Sequence, residues 1–255
     1  MRHALFTTTT WALILWTTGC TGDNAASAPD AQVPLDTPSA GSAFACAGQA
    51  LPTTAPDPLT VSGQTVDMNT LAPLSGVTIS AFRTGNATAL ATATSDTAGD
   101  FTITVASGGM PIDGYLQAHV TGHLDTYYYG AVPVAADASG AQIALITQAN
   151  LDTGTAALGI TQSADNGAML VRATDCNGVP LAGATFSTAP AGELRYSANS
   201  VPSTTATMTD ASGVAFIYNV PPGTVTIDAM VGSRALRTRV VAVHADAGTV
   251  AGVRP

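Results

Sequence analysis

Lysine is absent from this chain of 255 residues, and glutamate occurs once, as Glu193. All eight basic residues are arginines, only 10% of residues are charged, and the formal net charge is −9. Such a surface repels phosphate backbones, which argues against nucleic acid as a partner. Of two of the commonest helix formers, one is thus missing and the other occurs once. Aromatic residues make up 5% of the chain, and cysteines number three. Beyond the N-terminus no apolar run reaches about 18 residues, so the body of the chain is expected to hold no membrane-spanning helix.

Hydrophobic residues nonetheless reach 46%, too many for a disordered chain. Threonine and valine are abundant, and both favour strands. The composition points to an all-β protein.

The first twenty residues read as an address. Arg2 is a short positive region, and Ala4 to Trp16 is an apolar stretch interrupted by Thr7 to Thr10. Such a segment is set aside before fold is considered. Thr17-Thr18-Gly19-Cys20 follows and resembles the lipobox of bacterial lipoproteins, with Thr17 where leucine is usual. The resemblance implies that residues 1–20 are a signal peptide, that Cys20 is lipidated, and that the chain is exported and anchored in the cell envelope. Thr21 rather than Asp after the cysteine favours the outer membrane on the sorting rule of enteric bacteria. Residues 21–58, rich in Ala, Ser, Pro, Thr and Asp and without periodicity, read as a flexible tether. Export means an oxidising space. Cys46 and Cys176 are then left for a disulfide, the alternative being two separate thiols.

The body of the chain carries an internal repeat. Pro73-Leu74-Ser75-Gly76 opens a strand and is followed by Asp96-Thr97-Ala98-Gly99. Pro180-Leu181-Ala182-Gly183 opens another and is followed by Asp210-Ala211-Ser212-Gly213. The glycines suit tight turns with positive φ, and the aspartates suit turn hydrogen bonds. Phe101, Ile103 and Val105 alternate with threonines, as do Val225 and Ile227. That period of two sends one face to a core and the other to water. Seven strands are expected in each half, the second including 206–211, with Glu193 in a loop. Gln148 to Leu158 is weakly helical, with Asn150 as a candidate N-cap. The division is 59–147 for a first sandwich, 148–167 for a linker with a short helix, and 168–255 for a second sandwich. The fold class is all-β: two tandem seven-stranded, Greek-key-type β-sandwiches.

The P-L-x-G and D-x-x-G pattern, with Gly114-Tyr115 and the turn Val220-Pro221-Pro222-Gly223, resembles the carboxypeptidase regulatory-like domain, a transthyretin-like sandwich. It covers about two-thirds of the chain. The resemblance implies a mostly non-catalytic module attached to enzymes, outer-membrane receptors or surface proteins.

Reactive constellations are sparse. His119 and His123 flank a strand turn with Asp125 near, too few groups for a zinc site of three or four ligands, and no metal or other cofactor is expected. Asp96 and Asp100 do not fill the oxygen shell of calcium and read as turn residues. His244 reads as a lone residue on a strand, and Arg237 and Arg239 as one solvated strand face. In the run Tyr127-Tyr128-Tyr129, the first and third rings share a face and form a candidate glycan platform. The expected function is a non-catalytic envelope lipoprotein acting as a structural or protein-interaction module. The alternatives are a glycan- or peptidoglycan-binding module and, more remotely, a hydrolase using His119 or His123.

Overall fold

The computed structural model describes residues 43–255. The signal peptide, Cys20 and most of the tether lie outside the described residues. The described chain is nearly all β. Its first half forms β1 (Leu59–Asp67), β2 (Thr78–Arg83), β3 (Ala91–Thr94), β4 (Asp100–Val105), β5 (Gly114–His119), β6 (Thr126–Tyr129) and β7 (Ala138–Leu145). Helix α1 (Gln148–Ala157) follows. The second half forms β8 (Gly167–Ala173), β9 (Ala184–Ala189), β10 (Glu193–Ala198), β11 (Val201–Ser203), β12 (Val214–Val220), β13 (Gly223–Val231), β14 (Arg234–Ala235), β15 (Arg239–Val243) and β16 (Gly248–Val253).

Alternation builds two cores. On β4, Phe101, Ile103 and Val105 are buried while Asp100, Thr102 and Thr104 are exposed. They pack with Leu59, Ile79 and Ile143 to form the first core. On β13, Val225, Ile227 and Ala229 are buried, and they meet Val171, Ile217 and Val241 in the second. Each core lies between two sheets, as in a β-sandwich.

One sheet is common to both cores. Nine strands run in the order β11-β10-β12-β8-β16-β6-β5-β2-β3. The seam between halves is the parallel pairing of β16 with β6, from Gly248 opposite Thr126 to Ala251 opposite Tyr129. The smaller sheet β4-β1-β7 closes the first core, and β9-β13-β15 closes the second. These covers lie on opposite faces of the shared sheet. The proof is β6: Tyr128 packs against the first core, and Tyr127 and Tyr129 belong to the second. Successive residues of a strand point to opposite faces. Backbone approaches backbone at the seam, where a Cβ on Gly252 would stand 2.9 Å from the Ala131 amide nitrogen.

The repeat in sequence is a repeat of hydrogen bonds. In the first half Leu74 N–H donates to the Thr65 carbonyl at 2.9 Å, and Thr65 N–H to the Gly99 carbonyl at 2.8 Å. The Ser95 hydroxyl donates to the Leu74 carbonyl at 2.8 Å and accepts from Val77 N–H at 3.0 Å. In the second half Leu181 N–H donates to Ala173 at 3.0 Å, and Ala173 N–H to Gly213 at 2.8 Å. The Thr209 hydroxyl donates to Leu181 at 2.8 Å and accepts from Ala184 N–H at 2.9 Å. Gly99 and Gly213 have φ of 77° and 68°, and a Cβ on either would lie 2.5 Å from the carbonyl oxygen of Thr65 or Ala173. Glycine meets both demands at once.

Three local expectations change. Residues 206–211 form no strand, because Thr209 turns inward to the hydrogen-bond knot just described. Glu193 begins a strand instead of lying in a loop: β10 and β11 form a hairpin through Asn199 and Ser200, both at positive φ. Helix α1 is capped by Thr147, whose hydroxyl accepts from Asn150 N–H at 3.2 Å, so Asn150 lies inside the helix rather than at its cap.

Candidate functional site

The three tyrosines of β6 occupy the seam. Tyr127 is 9% exposed and Tyr129 1% exposed, so neither ring offers a face on which a sugar could stack. This corrects the glycan platform. Tyr127 and Tyr129 do share a face, but on this strand both faces are covered. The Tyr129 hydroxyl accepts from Ala242 N–H at 3.2 Å, which ties β6 to β15. Burial pushes the Tyr129 phenol up to about 12.

Beside the seam lies a cluster of polar side chains. His119 Nδ1 is 2.6 Å from Asp125 Oδ1. Gln117 Nε2 donates to Asp125 Oδ2 at 3.0 Å and to the Tyr127 hydroxyl at 3.3 Å. Tyr127 in turn stacks on His244, with ring centroids 4.0 Å apart. Burial lowers the His244 pKa and the Asp125 charge opposes this, while its Nε2 is buried without a partner among the described residues. Tyr115, half-buried on β5, stacks on Phe82 at 5.1 Å and touches Tyr129 at 5.0 Å. Period two on β5 aligns Tyr115, Gln117 and His119, so this row was open to sequence reading. The approach of His244 was not, because it arrives from a different sheet.

This cluster lacks the parts of a nucleophilic catalyst. Among the described residues, His119 hydrogen-bonds to Asp125 and to no hydroxyl or thiol, whereas an activated nucleophile needs its base within reach. His123 turns away to Asp67, with Nε2 3.3 Å from Oδ2. The two histidines therefore share no ligand, and among the described residues no three His, Cys, Asp or Glu side chains gather as a metal set. Asp67 is held below the ordinary carboxylate pKa, chiefly by the Thr70 amide. Asp96 accepts from the Ala98 and Asp100 amides at 2.8 and 3.0 Å, which is turn geometry.

Arg239 is buried rather than solvated. Its Nη1 lies 2.8 Å from Asp113 Oδ1, a second link between β15 and the first half. Burial of the Arg239 stem beside Asp113 decided its place, which alternation alone could not reveal.

Cys46 and Cys176 are joined as a disulfide with Cα atoms 5.7 Å apart. Cys176 lies in the turn after β8, where its N–H donates to the Ala43 carbonyl at 3.0 Å. Phe44 packs against the second core beneath the Arg234 guanidinium, 4.9 Å from the ring centroid. Arg237 Nη2 donates to the Gln49 carbonyl at 3.0 Å. Residues 43–49 are thus fastened to the second sandwich, although they precede the first in the chain.

No family model matches the sequence, and no curated protein matches it. Among solved structures, the chain is similar to the TIE protein of Bacillus anthracis at 9% identity and a TM-score of 0.28, over 77% of this chain and 33% of that one. It thus spans about a third of that protein. It is similar to the shaft pilin SpaA of Lactobacillus rhamnosus GG at 13% identity and a TM-score of 0.24, over 80% and 98% of the two chains. The minor pilin GBS52 of Streptococcus agalactiae gives 15% identity and a TM-score of 0.23, over 77% and 95%. No helix among the described residues is long and apolar enough to cross a membrane.

Proposed function

We propose that this protein is a non-catalytic envelope lipoprotein, held at the outer membrane through lipidated Cys20, that presents a stiff β body to a protein partner. The division proposed is a tether over residues 21–58, sandwiches over 59–147 and 168–255, and the linker 148–167 between them. The carrying observation is the seam. A parallel strand pair, the Tyr129 hydroxyl at Ala242 and the Arg239–Asp113 ion pair hold the halves together. A spacer or docking module benefits from such stiffness, since a pre-ordered surface loses less entropy on binding.

The test is crosslinking in native membranes followed by affinity recovery, with Cys20→Ala as the control. Recovery of one specific protein with the wild type, lost when the anchor is lost, supports the reading. Fatty-acid label that is equal on wild type and Cys20→Ala overturns the anchor. Turnover by the purified protein, abolished by Asp125→Asn, overturns the non-catalytic reading.

A further inference from the structure

The two small sheets cover opposite faces of the shared sheet, so each leaves part of a face bare. On the face that β4-β1-β7 covers in the first half, helix α1 shields part of the second half. Leu151 packs there with Tyr218, Leu124 and Ile160. Between the helix, the end of β7 and the β10–β11 hairpin a groove of about 450 Å³ remains. That volume falls in the ordinary range of about 300–1,000 Å³ for small-molecule sites. Leu170, Phe216 and Val250 line its sheet side, and Ile146, Leu151 and Val201 line its walls.

We infer that this groove is a binding site for a neutral, apolar small molecule carrying one hydrogen-bond acceptor, and that the Tyr218 hydroxyl donates to that acceptor.

Three observations carry the inference. No charged side chain lines the groove, although the chain as a whole bears a net charge of −9. An ionised ligand would lose its hydration there and meet no charged group in the lining itself. Arg195 and Glu193 stand on β10 beside this wall but outside the lining, and they face each other at 4.0 Å.

Tyr218 supplies the polar point. It is 7% exposed and lines the groove. Its hydroxyl makes no hydrogen bond among the described residues, whereas the buried hydroxyls of Tyr129 and Tyr196 each have a backbone partner. Burial pushes the Tyr218 phenol up to about 12 against the opposing charge of Arg195, so at neutral pH it is a donor. The hydroxyl is not sealed from solvent, since it is not among the buried atoms left without a partner, so a ligand oxygen in the groove can reach it and accept from it.

Gly154 is the third. It lies within α1 and lines the groove, and a Cβ built on it meets nothing within 4 Å. Glycine inside a helix weakens it relative to alanine. Here no steric demand explains the glycine, and its effect is to leave that wall of the groove open.

The test uses the full chain carrying Cys20→Ala and the naphthalene ketone dye prodan, which is neutral, apolar and has one carbonyl acceptor. The expected result is saturable binding with a blue-shifted emission, displaced by methyl laurate and not by charged laurate. Tyr218→Phe should weaken binding about tenfold, the worth of one hydrogen bond. Gly154→Leu should abolish binding while leaving the urea midpoint equal or higher, since leucine is the better helix former. Binding that does not saturate, or that is equal in wild type and both variants, overturns the inference. So does a photocrosslinker at Val201 that captures a protein whose binding survives Gly154→Leu, which would make the groove part of a protein interface.

Discussion

Thr209 donates its hydroxyl to the carbonyl oxygen of Leu181 at 2.8 Å and accepts from the Ala184 amide at 2.9 Å. One side chain thus satisfies two backbone groups in the interior. Thr209→Val keeps the shape and leaves both groups unpaired, a cost of about 1–3 kcal/mol. Urea denaturation should show the loss. Thr102→Val on the exposed face of β4 serves as control, with a change within about 0.5 kcal/mol. Equal midpoints for the two variants would deny the knot any share in stability.

Gly252 tests whether the halves form one cooperative unit. Its Cβ position lies 2.9 Å from the Ala131 amide nitrogen and 3.0 Å from the Ala131 Cβ. Gly252→Val must part β16 from β6. Calorimetry should then resolve two transitions where the wild type has one. A single transition at an unchanged temperature would show that the seam is not needed.

The disulfide closes a loop of sequence separation 130 around the whole first sandwich. Replacing both cysteines, Cys46→Ala with Cys176→Ala, should cost about 2–4 kcal/mol. Hydrogen exchange locates the effect: amides of residues 43–49 should lose protection while β1 keeps its own. Unchanged exchange at 43–49 would mean that Phe44 and the backbone bonds hold the segment unaided.

Acid should weaken the protein partly through His244. Its folded pKa is depressed by burial below the ordinary histidine value of about 6.5. As pH falls the unfolded chain takes the proton first, so stability is full above about pH 6.5 and is lost as pH falls through the folded pKa. His244→Phe should retain the aromatic stack on Tyr127 and flatten the pH dependence in that window. Urea midpoints of both proteins at about pH 7.5 and about pH 5 decide the matter, parallel slopes being the contrary outcome.

The readable parts of this molecule are local. Asp96, Gly99, Asp210 and Gly213 announce their turns through chemistry that acts over a few residues, and Phe101, Ile103 and Val105 announce their strand through alternation. The seam is different. Nothing in Thr126 to Tyr129 says that the strand will gain a parallel neighbour from the far half. Sequence gives the face of Tyr127 and Tyr129 but not what covers it, and that one omission produced the platform reading. His244 and Arg239 were misplaced for the same reason, since their partners Tyr127 and Asp113 are distant in the chain. The groove beside Tyr218 is a gap between coverings, and a gap has no residue pattern of its own.

The pairing of β6 with β16 also sets a timetable. In a chain exported N-terminus first, β6 emerges long before β16, with the helix and nearly all of the second sandwich in between. Throughout that interval one hydrogen-bonding edge of β6 has no strand to pair with. Open edges recruit strands from other chains, so the half-made molecule is at its most adhesive just when its first sandwich is otherwise complete.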